Sequence, residues 1–129
     1  MSDYIRTVQG REILNANGKP TVEAELQTQN GIRTVASVPS GTSRGKYEAY
    51  ELYDGGARFD GFGTRAAAGN ITGPISNALT GMDITKQEET DRILCELDGT
   101  PNKERLGGNA ILAVSVAAAR AGAIASGLP

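Results

Sequence analysis

The chain predicts an α+β fold, a three-stranded antiparallel meander followed by a helical half. Three observations carry that reading. Val22, Ala24, Leu26 and Thr28 alternate with Thr21, Glu23, Glu25 and Gln27, the period-two pattern of a half-buried strand. Asn17-Gly18 and Asn30-Gly31 flank this run, and both dipeptides accept the positive φ of tight turns. Later in the chain helix signals take over, among them the capping-box sequence Thr85-Lys86-Gln87-Glu88.

Taken in order, Tyr4 to Leu14 supplies the first strand, the alternating run the second, and Ile32 to Val38 the third. Thr64 can open a helix, which Gly69, Gly73 and Pro74 weaken or break. The capping box places a Thr hydroxyl and a Glu carboxylate on free N–H groups, and its helix runs to about Leu97, where Asp98-Gly99 stops it. Glu88, Glu89 and Asp91 suit the first turn of that helix, where the dipole favours negative charge. Gly107 to Leu128 is long and mostly apolar. It is rich in Ala, Gly and Ser and carries Arg120, so it predicts a closely packed helix and no membrane span. Repeats, low-complexity tracts and linkers are missing from the sequence, and residues 1–129 are expected to form one domain.

Composition narrows the function classes. Hydrophobic residues make up 39% and aromatics 5% with no Trp, so the core is built from Ala, Val, Ile and Leu. A net charge of −2 gives no electrostatic footprint for nucleic acid or an anionic membrane. The single cysteine, Cys95, cannot form an internal disulfide and sits in an apolar helical stretch, where it is expected to be buried. Met1-Ser2-Asp3-Tyr4 lacks the apolar region of a secretory signal, and a cytoplasmic location is expected. With no His, the commonest general base and metal ligand is missing.

Pro39-Ser40-Gly41-Thr42-Ser43-Arg44-Gly45 is the segment richest in chemistry. Its glycines, hydroxyls and the cations Arg44 and Lys46 can bring N–H groups, oxygens and positive charge onto an anion or a metal. It is not a nucleotide P-loop. Three residues, where four are needed, separate Gly41 from Gly45, and Tyr47 follows Lys46 where Ser or Thr should stand. Two acidic pairs, Glu23 with Glu25 and Glu48 with Glu51, have spacings open to acid–base or metal work but read better as carboxylates on solvated faces. Tyr50 and Tyr53 suit a domain edge more than a ligand site.

Several blocks, taken together, resemble the enolase (phosphopyruvate hydratase) family. Gly10-Arg11-Glu12-Ile13-Leu14 and Gly18-Lys19-Pro20-Thr21-Val22-Glu23 are similar to its opening strand and turn. Val38-Pro39-Ser40-Gly41, then Ser43, Gly45 and Glu48-Ala49, resembles its mobile active-site loop. Leu97-Asp98-Gly99-Thr100-Pro101-Asn102-Lys103, then Leu106-Gly107 and Asn109-Ala110-Ile111-Leu112, resembles the approach to the last helix of its capping domain. The chain departs from the pattern at Asn15-Ala16-Asn17, where the family carries Asp-Ser-Arg, and at Thr42, Arg44 and Tyr47 within and after the loop.

The resemblance implies a capping domain that precedes a larger barrel, and the chain stops at Leu128-Pro129, where the family continues into a linker, so a fragment is expected. It implies a lyase interconverting 2-phosphoglycerate and phosphoenolpyruvate in glycolysis, with Mg2+ holding the charge that develops beside the carboxylate. Base, acid and metal carboxylates are then expected in the barrel, leaving no catalytic group in this segment. By position Ser43 matches the serine that ligates the second Mg2+ when the loop closes, within a loop of Ser40, Gly41, Thr42, Ser43, Arg44 and Gly45. A homodimer is implied as well, with Arg11 and Glu23 facing the partner's barrel. A related lyase with another substrate, and a non-catalytic relative, stay open alternatives.

Overall fold

The computed structural model describes residues 3–16, 18–38, 52–61, 63–100 and 105–127. Strands β1 (Ile5–Leu14), β2 (Pro20–Thr28) and β3 (Arg33–Ser37) form an antiparallel sheet in the order β1-β2-β3, as the alternation predicts. Gly18 and Gly31 take φ of 74° and 96° in the two turns, which is why glycine stands at each. The Gly31 N–H donates to the Thr28 carbonyl at 3.1 Å, closing the second turn.

One face of the sheet carries the core. Val8 lies opposite Leu26 and Gly10 opposite Ala24, with Glu12 opposite Val22 at the far end of the same face. Against this face pack a short helix α1 (Arg65–Asn70), a π turn (Ile71–Ile75) and α2 (Ser76–Leu79), which run as one continuous rod. The break expected at Pro74 is therefore a local widening. Proline lacks the N–H and its ring crowds the carbonyl four residues back, and a π turn accommodates both in a helix that continues. Ile71, Ile75 and Leu79 from this rod are fully buried.

Helix α3 (Gln87–Asp98) ends at Gly99, which adopts the left-handed C-cap conformation predicted for it. Its start differs from the capping-box reading. Lys86 holds the cap position with no side-chain cap bond, because the Thr85 hydroxyl donates to Asp83 Oδ1 at 2.7 Å. Glu88 and Glu89 do lie in the first turn. Cys95 is exposed, a correction to its expected burial: it lies one position beyond the inward Leu94 and points away from the core.

Helix α4 (Gly108–Ala125) has the length and apolar composition of a membrane span. Its Ala110, Ala113, Val114, Ala117 and Ala121 are instead buried, and the helix packs on β2 and β3. Small side chains let it approach closely: a Cβ at Gly122 would lie 2.8 Å from the Ile84 carbonyl oxygen. As composition required, the core is aliphatic, from Ile5 and Leu26 through Leu94 to Val114.

Candidate functional site

The residues singled out in the loop, Ser40, Gly41, Thr42, Ser43, Arg44 and Gly45, lie outside the described residues, as do Glu48, Glu51 and Tyr50. Both flanks of that loop are described, and the sequence folds to hold each of them. On the entry side the Val38 N–H donates to the Val22 carbonyl at 3.3 Å. The Val38 carbonyl accepts the hydroxyl of Thr21. Val38 itself is buried.

On the exit side Leu52 is held by a single side chain. Asn109, in the first turn of α4, accepts the Leu52 N–H at 3.1 Å through Oδ1 and donates Nδ2–H to the Leu52 carbonyl at 3.2 Å. Gly107 makes room for it, since a Cβ there would lie 2.6 Å from Leu52 Cβ. Beyond Leu52 the chain doubles back. The Asp54 N–H donates to the Gly63 carbonyl at 2.8 Å, closing a small loop before α1. The Asp54 carboxylate then accepts the N–H groups of Arg65 at 3.0 Å and Ala66 at 2.8 Å, covering free donors of that helix end.

Glu12 ties this limb to the sheet. Its carboxylate accepts Arg58 Nη1–H at 2.9 Å and the Thr64 N–H at 2.6 Å, with a second Arg58 contact through Nη2. The Arg58 guanidinium, seconded by Thr64, holds the Glu12 carboxyl down to about 2 against the opposing effect of burial. Thr64 also donates its hydroxyl to the Thr21 carbonyl at 2.9 Å. Thr21 therefore serves both flanks, its hydroxyl on Val38 and its carbonyl on Thr64.

Neither Thr21 nor Glu12 stood out as functional in the sequence. The signal was the position of Thr21 on the polar face of β2, where it is nonetheless buried. Glu25, read as an exposed carboxylate, needs correcting too: it is 6% exposed, covered by Arg11 at 3.2 Å and by Arg33. Arg33 first, then Arg11 and Gln27, lower its carboxyl below the ordinary range despite burial. The expected partner-facing residues Arg11 and Glu23 are cross-strand neighbours and pair with each other at 3.0 Å.

The connection into α4 is built in the same manner. Asp98, 1% exposed, accepts the Leu106 N–H at 2.7 Å and the Thr100 N–H at 3.0 Å. Among the described residues no three Asp, Glu or Cys side chains gather into a metal-holding group. Glu12 and Asp54, the carboxylates that hold the exit limb, are committed to Arg58 and to backbone N–H groups.

These features define a class: an α+β domain whose meander passes into its helices through a glycine- and hydroxyl-rich connection anchored at both flanks. Residues 5–129 match the family model described as enolase, N-terminal domain, and the chain belongs to that family.

Proposed function

We propose that this domain supplies the active-site loop of a cytoplasmic, Mg2+-dependent phosphopyruvate hydratase acting on a small phosphorylated carboxylic acid. One observation supports the reading above others. The family match spans the loop, whose sequence carries hydroxyls and cations, and the loop's flanks are secured by Thr21 and Asn109 on rigid elements. Ser43 would offer an oxygen ligand, the donor type that hard Mg2+ prefers. Bound Mg2+ would offset the negative charge that develops beside the substrate carboxylate. The loop would contribute by covering the substrate and excluding water.

The remaining groups, base and acid included, would come from a barrel working with this domain, and the 129 residues alone should not turn over 2-phosphoglycerate with Mg2+. In the full-length protein Ser43→Ala should lower kcat on the order of ten-fold or more, with a weaker effect on binding of the first metal. Steady-state kinetics across a Mg2+ titration check this. If kcat and the Mg2+ dependence both stay unchanged, Ser43 is no ligand. Arg44 adds a cation suited to capturing a phosphate, so Arg44→Thr should mainly raise KM. Arg44 and Tyr47 also support a second reading, a related lyase with a different substrate. In the homodimer of this proposal Arg11 and Glu23 would meet the partner as a preformed pair.

A further inference from the structure

β3 is an outer strand of the sheet. The Thr28 N–H bonds the Ile32 carbonyl and the Val38 N–H bonds the Val22 carbonyl, so the even-numbered residues of β3 direct their backbone groups at β2. Arg33, Val35 and Ser37 therefore turn their N–H and C=O groups outward. On that outward row the Val35 carbonyl accepts Arg120 Nη1–H at 2.8 Å. Beside it lies a groove of about 510 Å3 bounded by Thr34 and Val35 of β3 and by Val116, Ala119, Ala123 and Ile124 of α4. Ile124 is 54% exposed at the mouth of this groove.

Among the described residues this outward row meets no other strand, only Arg120 at Val35. With the apolar trough beside it, the row complements an extended peptide, which pairs with the strand and drops alternate side chains into the trough. Arg120 adds a charge preference, because an incoming strand displaces it from Val35 and leaves a guanidinium seeking an acceptor. A second copy of β3 fits poorly: antiparallel pairing about Val35 would bring two Arg120 side chains together and offer neither a carboxylate. We propose that the β3 edge and the α4 groove form a docking site for an extended, carboxylate-bearing segment of another protein, added as a fourth strand.

The test uses the 129-residue chain labelled with 15N and a blocked seven-residue peptide that alternates valine and threonine around a central aspartate. Its twin carries asparagine at the centre. The Val35 and Ser37 amides should shift and gain exchange protection, and the aspartate peptide should bind about ten-fold tighter than its twin. In a folded Arg120→Gln variant that preference should fall to near unity while binding of the asparagine peptide persists. Equal affinity of the wild-type chain for both peptides would remove the role of Arg120. Perturbations that map away from β3, or self-association of the chain through β3 without peptide, would overturn the docking site.

Discussion

Gly10 shows how one missing side chain sets the thickness of the fold. A Cβ at this position would lie 2.4 Å from the Ala68 carbonyl oxygen and 2.7 Å from Ile71 Cβ, so the α1 rod rests directly on the backbone of β1. The Gly10 N–H uses that closeness, donating to Thr72 Oγ1 at 2.9 Å. Gly69, on the same rod, has open space where its Cβ would stand. Gly10→Ala should therefore destabilise by about 3 kcal/mol through overpacking. Gly69→Ala should stabilise by about 0.5–1 kcal/mol, because helix propensity alone is at stake. Urea midpoints at constant slope measure both. Equal effects of one sign at the two glycines would contradict the close contact.

Between elements, the two flanks of the loop are held by different means. The entry flank continues a sheet edge, with Thr21 and Val22 of β2 on Val38. The exit flank hangs on the amide of Asn109, whose Oδ1 and Nδ2 take the place of a strand partner for Leu52. Asn109→Ala leaves the Leu52 N–H and carbonyl without these partners and should cost about 1–2 kcal/mol. Its distinguishing mark is local. Amide exchange should quicken at Leu52 and stay slow in β2, whose ladder does not depend on Asn109. Uniform acceleration across the chain would show a global loss of stability and no flank-specific clamp.

Over the whole molecule, buried or half-buried carboxylates make stability depend on pH. Glu12 has an ordinary carboxyl value of 4.5 and is held down to about 2 in the fold, chiefly by Arg58. A depressed carboxyl stabilises fully above the unfolded value, and that stability drains as pH falls from about 4.5 toward 2. Glu25 works in the same direction through Arg33 and Arg11. Glu12→Gln should cost on the order of 1–2 kcal/mol at pH 7, where Arg58 loses a charged partner at a partly solvated site. It should cost little at pH 2. Urea unfolding of both chains from pH 7 to 2 reads the convergence. Parallel curves would mean that Glu12 is not the group titrating. By contrast the exposed pair of Arg92 with Glu96, at 3.0 Å on the surface of α3, should scarcely matter.

The sequence by itself determined the meander, its turns and the stop of α3, because these rest on local chemistry: period-two alternation, glycines at positive φ, and a left-handed cap at Gly99. It also determined family membership, through blocks distributed along the chain. Tertiary structure decided what depends on partners far away along the chain. Pro74 widens the helix without ending it because Ile71 and Ile75 are buried on either side of the turn. Thr85 forgoes its cap because Asp83 lies within reach. Glu25 is covered because Arg11 and Arg33 converge from neighbouring strands, and Cys95 is exposed because Leu94 takes the inward position. The tethering of the loop by Thr21, Glu12 and Asn109 belongs with these. Local preference fixes backbone shape over a few residues, whereas burial and hydrogen-bond satisfaction are settled only when the elements meet.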